Sequence, residues 1–200
     1  MKILLLGGFL GSGKTSVLLP LAKYMVEHST YSGTRVAIIE NEIGDVSIDG
    51  ITLRNAGLSV QELFSGCICC TLGTELIEGL MNLEHDSNPE WVIIEATGVA
   101  CPGAVRETIQ QFMPQIEEIR IVVLCDAERL PRLLRAIVAI APQQVADGEV
   151  LLLNKIDLVD ENALREAEET LREYNQTAPI YRICAKNGID DAVFAAMIGG

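Results

Sequence analysis

The sequence predicts an α/β protein of three layers, with a doubly wound and mostly parallel sheet between helices, in a single domain over residues 1–200. Three observations predict it. Short apolar runs alternate with helical patterns from end to end, the rhythm of strand–helix–strand units. Hydrophobic residues make up 49% of the chain but aromatic ones only 4%, so the core is expected to be Ile, Leu, Val and Ala, which suits strands buried on both faces. The opening MKILLLGGFLGSGKTS is the third: an apolar run, a glycine-rich loop and a helical pattern in immediate succession.

Residues 1–6 carry one charge among apolar side chains and read as a buried strand. Gly8, Gly13, Lys14 and Thr15 then fit G-x-x-x-x-G-K-[ST], and a helical pattern continues from Ser16. Gly8, Gly11 and Gly13 permit positive φ and a close approach to a ligand, so that loop amides, that of Ser12 included, converge on phosphate oxygens at the positive end of a helix. Lys14 is expected to neutralise β- and γ-phosphates, and the Thr15 hydroxyl to take one position on Mg²⁺. A glycine-rich turn with a chance lysine is the bland alternative. Four matched positions between a strand and a helix weigh against it.

The net charge of −13 argues against nucleic acid or an anionic membrane surface as the main partner, since both select basic patches. No apolar run reaches about 18 residues, and the apolar stretch at the N-terminus is too short for a secretory signal and runs into the phosphate loop. A cytoplasmic protein is expected. Its six cysteines are then reduced thiols or metal ligands, not a disulfide framework.

In order, residues 14–29 read as a helix with Val17, Leu18, Leu21 and Met25 on one face and Pro20 positioned to kink it. Residues 31–34 are a polar turn and residues 35–40 a strand. Four acidic residues follow within ENEIGDVSID, behind a strand end, where ligand loops lie in doubly wound sheets. Residues 51–64 look extended or hairpin-like. A helix over 71–83, with Leu76, Leu80 and Leu83 inward, leads to strand 91–95. Helix 102–113, strand 119–125, a helical stretch over 128–145 bounded by Pro131 and Pro142, and strand 149–153 come next. Asp160 caps a charged helix to Tyr174 with Glu161/Arg165 and Glu168/Arg172 at i,i+4 spacing, before strand 179–184 and helix 188–198.

Asn154-Lys155-Ile156-Asp157 follows a buried strand. The Asp157 carboxylate can accept from N1–H and the exocyclic amine of guanine, a donor pair that adenine lacks, and a buried group left unpaired makes such discrimination large. Lys155 can lie across the base and Asn154 can tie this loop to the phosphate loop. Cys184-Ala185-Lys186 follows another strand, from which a backbone N–H can reach the guanine oxygen. Together these resemble the base-recognition motifs of GTPases, N-K-x-D and an S-A-K-like loop, and favour GTP over ATP.

Cys67, Cys69 and Cys70 put three thiols within four residues, a set suited to a borderline cation such as Zn²⁺. His28 and His85 lie in no ligand pattern, so a fourth ligand is a carboxylate or water, with Glu40, Glu42 and Asp45 as candidates. A buried apolar turn and a redox pair are the alternatives. Cys101, Cys125 and Cys184 read as core or near-site thiols.

The ordered motifs GGFLGSGKTS, ENEIGDVSID, ELFSGCICCTL, IEATG and NKID resemble the metal-trafficking P-loop GTPases. These are SIMIBI-type P-loop NTPases that include the cobalamin-biosynthesis protein CobW and the hydrogenase and urease nickel-insertion GTPases HypB and UreG. The resemblance covers residues 2–190, and the C-x-C-C motif marks the CobW-like branch. It implies transition-metal ligands at Cys67, Cys69 and Cys70 with help from Glu40, Glu42 or Asp45. It also implies a Mg²⁺ or water-ordering role for Glu95, beside Thr15, and a γ-phosphate-sensing glycine at Gly98. There are three departures. CobW-like proteins usually carry a further C-terminal domain, whereas this chain ends at Gly200, so the nucleotide-binding domain alone is expected; a histidine-rich stretch is missing; and Ala100-Cys101-Pro102 stands where Ala-Asp-Pro is common.

The function implied is a GTP-hydrolysing metallochaperone, with Zn²⁺ or Co²⁺ favoured and Ni²⁺ compatible. It would deliver metal to a client metalloprotein or cofactor-assembly protein, and a nucleotide-dependent homodimer is compatible with it. GTP·Mg²⁺ is expected to draw residues 40–49 and 95–98 onto the γ-phosphate and tighten the metal site, and hydrolysis to loosen it. Lys14, Thr15 and Glu95 are the expected catalytic set. Turnover is expected to be slow, because no arginine finger or glutamine stands out. The alternatives are a P-loop kinase or transferase with structural cysteines, against which N-K-x-D argues, and a non-catalytic, nucleotide-dependent zinc-binding regulator.

Overall fold

A computed structural model describes residues 1–30, 35–40, 58–62, 72–98, 100–137 and 139–199. Among these residues, seven strands form one sheet: β1 (Lys2–Gly8), β2 (Val36–Glu40), β3 (Leu58–Glu62), β4 (Trp91–Glu95), β5 (Glu118–Asp126), β6 (Val150–Asn154) and β7 (Ile180–Arg182). Their order is β3-β2-β4-β1-β5-β6-β7 and each neighbouring pair is parallel. The helices are α1 (Lys14–His28), α2 (Leu72–Asp86), α3 (Pro102–Phe112), α4 (Leu130–Ala136), α5 (Ala141–Asp147), α6 (Glu161–Tyr174) and α7 (Asp191–Ile198).

Alternation along β1 explains the layering. Ile3 and Leu5 join the core made with α2 to α6, whereas Leu4 and Leu6 join the core made with α1 and α7. All four are fully buried, so the strand is apolar on both faces. On α1 the expected face is inward: Val17, Leu18, Leu21 and Met25 are buried, with Ala22 and Val26 beside them. Each such Leu stabilises the fold by about 1.5–3 kcal/mol. β1 lies between β4 and β5, so the crevice at its C-terminal end is the topological switch point of the sheet.

Several expectations are corrected. The helix α1 keeps Pro20 inside it, as expected, with the proline exposed at its seventh residue, but other elements differ. β3 pairs in parallel with β2, so the described part of residues 51–64 is a sheet-edge strand and not a hairpin arm. The single helical stretch over 128–145 is two helices, because Pro131 and Pro142 each occupy a first turn, where the missing N–H costs nothing. Glu168 pairs with Arg182 instead of Arg172, whose guanidinium donates to the Asn175 and Ala178 carbonyls. Asp160 does cap α6, accepting from the Ala163 N–H at 2.9 Å.

Candidate nucleotide-binding site

The loop between β1 and α1 lies at the switch point. Gly8, Gly11 and Gly13 all have positive φ. Gly13, at φ +101°, shows why: a Cβ there would collide with the Asn154 amide nitrogen, so only glycine lets the loop touch β6. Lys14 is buried, and its Nζ lies 3.0 Å from the Gly8 carbonyl and 3.3 Å from that of Phe9. An ammonium on the inner edge of the loop can meet phosphate oxygens drawn to the loop amides. Ser12 is buried and its Oγ finds no partner among the described residues, while Ser16 is exposed on the first turn of α1.

The Thr15 hydroxyl donates to Glu95, 3.3 Å from Oε1 and 3.4 Å from Oε2. Glu95 ends β4 and is 7% exposed. A hydroxyl and a carboxylate set side by side are hard oxygen donors, the kind Mg²⁺ prefers, so these residues fit the metal expected of the loop. In the sheet register, Glu40 lies opposite both Glu95 and Glu62. The backbone therefore brings three glutamates to one level at the ligand end of β3, β2 and β4. Glu42, Asp45, Cys67, Cys69 and Cys70 lie outside the described residues. Among the described residues, no group of three or more His, Cys, Asp and Glu could hold a metal ion.

Gly98 packs against the loop from β4: a Cβ there would stand 2.6 Å from the Leu10 nitrogen. Its segment is held from behind by Gln144, fully buried on α5, whose Nε2 donates to the Gly98 carbonyl at 3.2 Å and to the Ala100 carbonyl at 2.7 Å. Nothing in the sequence singled out Gln144, because it lies mid-helix outside any motif.

On the other side, Asn154 Nδ2 donates to the Ser12 carbonyl at 2.8 Å, and its Oδ1 accepts from the Ala185 N–H at 3.0 Å. Asn154 thus ties three loops together, as its position in N-K-x-D suggested. Lys155 has φ +62°, a left-handed conformation that a residue with a side chain adopts at a cost, and its Nζ lies 2.7 Å from Asp126 Oδ2. With the ammonium so engaged, the stem of Lys155 is the part that can lie along a base. Asp157 is exposed, and Oδ1 accepts from the Cys184 thiol at 3.1 Å. That bond and burial push the Cys184 thiol above its ordinary value. Lys186 is exposed on the turn Ala185–Asn187. Cys125 is a core thiol, pushed up to about 12 by burial, and Cys101 just precedes α3 with its thiol raised by burial and by Asp147.

Asp126 is a site residue the sequence showed only by place, at the C-terminal end of β5. It is 2% exposed; Oδ1 accepts from the Glu128 and Arg129 amides at 3.1 Å each and Oδ2 takes Lys155. Arg129 in turn donates to the Leu10 carbonyl at 3.3 Å.

A glycine-lined loop at the switch point, a Thr–Glu oxygen pair and an N-K-x-D loop tied to it through Asn154 define a P-loop nucleotide-binding domain. The chain belongs to the CobW/HypB/UreG family: the model of that family's nucleotide-binding domain matches residues 2–182. It is 30% identical over 191 residues to the zinc chaperone YjiA of Escherichia coli (strain K12), covering 92% of this chain and 57% of the relative. It is 29% identical over 192 residues to zinc-regulated GTPase metalloprotein activator 1 of Schizosaccharomyces pombe, covering 90% and 45%. The crystal structure of Zn(II)-bound YjiA GTPase from E. coli superposes with a TM-score of 0.67 at 27% identity, covering 90% of this chain and 57% of that one. The chain therefore spans about half the length of the curated relatives it matches.

Proposed function

We propose that this domain binds GTP with Mg²⁺, hydrolyses it slowly, and uses the cycle to gate a transition-metal site from which metal passes to a client metalloprotein. The observation that carries the reading is the junction at Asn154, which ties the N-K-x-D loop and the Ala185 turn to the loop after β1. In this reading the loop amides and Lys14 bind the β- and γ-phosphates. Thr15 and Glu95 hold Mg²⁺, which neutralises charge on the phosphate oxygens when bound. Asp157 accepts from the guanine edge, and Cys184 holds that carboxylate in place.

The relatives named zinc chaperone and zinc-regulated GTPase support a metal cargo. Zn²⁺ suits three thiolates, with Co²⁺ and Ni²⁺ as further candidates. We assign the cargo to Cys67, Cys69 and Cys70 with Glu40, Glu42 or Asp45. Gly98 abuts the loop at Leu10, so a γ-phosphate contact there can move its segment. Three residues before Gly98, Glu95 stands opposite Glu40 in the sheet register. Linkage makes the coupling reciprocal: GTP that tightens metal binding by about 1–3 kcal/mol is itself bound tighter by the same amount.

The test is the affinity of reduced protein for Zn²⁺ and Co²⁺ with Mg²⁺ and a non-hydrolysable GTP analogue, against Mg²⁺ and GDP. Tighter binding with the analogue, lost in Cys69→Ala, is the expected result. Equal affinities in the two nucleotide states would remove the gating.

A further inference from the structure

The side of the phosphate loop away from Asn154 carries a cation that no motif accounts for. Arg129 follows β5, and its Nη1 donates to the Leu10 carbonyl at 3.3 Å and lies 3.0 Å from where a Cβ on Gly11 would be. The side chain is exposed, and among the described residues its guanidinium meets no carboxylate. Lys155, the neighbouring cation, is paired with Asp126, and Arg182 and Arg106 have glutamate partners. An arginine placed on a phosphate loop and left without an anion retains its capacity for one.

Its backbone is fixed. The Arg129 N–H donates both to Asp126 Oδ1 at 3.1 Å and to the Asp126 carbonyl at 3.2 Å, and Asp126 is itself buried and held by Lys155. The side chain alone is left to move. The loop also has a direction: Asn154 marks Ser12 and Gly13 as the end next to the base, whereas Leu10 and Gly11 are where Gly98 and Arg129 converge from β4 and β5. A nucleoside triphosphate lying from the base-reading loop across the phosphate loop brings its terminal phosphate toward that second end.

We propose that Arg129 is an arginine finger acting in cis, leaving the Leu10 carbonyl to donate its planar fork to terminal-phosphate oxygens of the bound nucleoside triphosphate. The inference rests on the nucleotide-binding reading above. It adds the transition-state cation that the sequence motifs lack. Hydrolysis itself is the attack of water on the terminal phosphorus with departure of GDP, and Arg129 stabilises the charge that builds on the transferring oxygens without bonding to phosphorus.

The experiment measures single-turnover GTP hydrolysis with Mg²⁺, and Kd for a non-hydrolysable GTP analogue and for GDP, in wild type, Arg129→Ala, Arg129→Lys and Arg132→Ala. Arg132, exposed on α4, controls for loss of a positive charge nearby. Thermal unfolding checks that each variant is folded. The expected result is a rate about 10–100-fold lower in Arg129→Ala, only partly restored by Lys, with the analogue bound several-fold more weakly and GDP unchanged. A rate and an analogue-to-GDP ratio within about twofold of wild type in Arg129→Ala would overturn the inference while leaving the nucleotide-domain reading intact, and so would equal weakening of analogue and GDP. A wild-type chain that binds neither nucleotide would overturn that reading itself, and the finger with it.

Discussion

Asn154 Nδ2 and the Ser12 carbonyl meet at 2.8 Å across 142 positions of chain, and the same side chain accepts from Ala185 on a third loop. Asn154 is 2% exposed. Asn154→Ala therefore leaves a buried carbonyl and a part-buried N–H without partners, at about 1–3 kcal/mol for each buried group. We expect urea unfolding to show a loss of about 2 kcal/mol or more, and GTP affinity to fall at least about tenfold because the two halves of the site lose their common register. If stability drops while affinity holds, the junction is structural only.

The Cys184 thiol and the Asp157 carboxylate form the next such pair, at 3.1 Å. In a GTPase site this thiol holds the carboxylate toward the guanine edge. Cys184→Ser keeps a donor and is expected to retain the preference for GTP over ATP. Cys184→Ala loses about one hydrogen bond's worth of positioning, a drop of about 3–10-fold in that preference, and Asp157→Ala loses about 10–100-fold. Competition binding with both nucleotides measures it. Serine and alanine variants that behave alike would remove the positioning role. Because the thiol's pKa is raised, Cys184 also stays protonated at neutral pH, and alkylation should be slower there than for an ordinary exposed cysteine.

Much of this site was legible because local spacing fixes it. The run from Met1 to Ser16 dictates strand, loop and helix within sixteen residues of chain, and N-K-x-D carries its own strand end, so Asn154 could be placed against the phosphate loop from the sequence alone. Glu95 was legible as the last residue of an apolar strand. Asp126, Arg129 and Gln144 were not. Asp126 showed only as an acid after a strand, and its three partners come from backbone amides and a lysine 29 positions on, which no local pattern encodes. Arg129 and Gln144 act by reaching loops more than 40 residues away. Helix boundaries near Pro131 and Pro142 misled for a related reason: a proline ends one helix and opens another equally well, and the choice depends on what packs beneath.

Arg182 ties β7 to α6 just before the Cys184–Lys186 loop. Its Nε and Nη2 lie 2.7 and 2.9 Å from the Glu168 oxygens, and Nη1 lies 2.9 and 3.0 Å from those of Glu161. Hydrogen bonds from this guanidinium are the main reason both carboxyls are held below the usual carboxylate range. A carboxyl whose folded pKa is depressed stabilises the fold fully above its unfolded pKa, and that contribution is lost as the pH falls through the folded value. The network should therefore be fully effective at about pH 6 and fade toward about pH 3. The groups are partly exposed, so screening keeps the effect small, with Arg182→Ala lowering Tm by about 1–3 °C at the upper pH. Measured as a Tm difference between wild type and Arg182→Ala, the gap should narrow steadily on acidification and also shrink in high salt. A gap that stays constant across the range would assign the stabilisation to packing of the arginine stem and not to its charge.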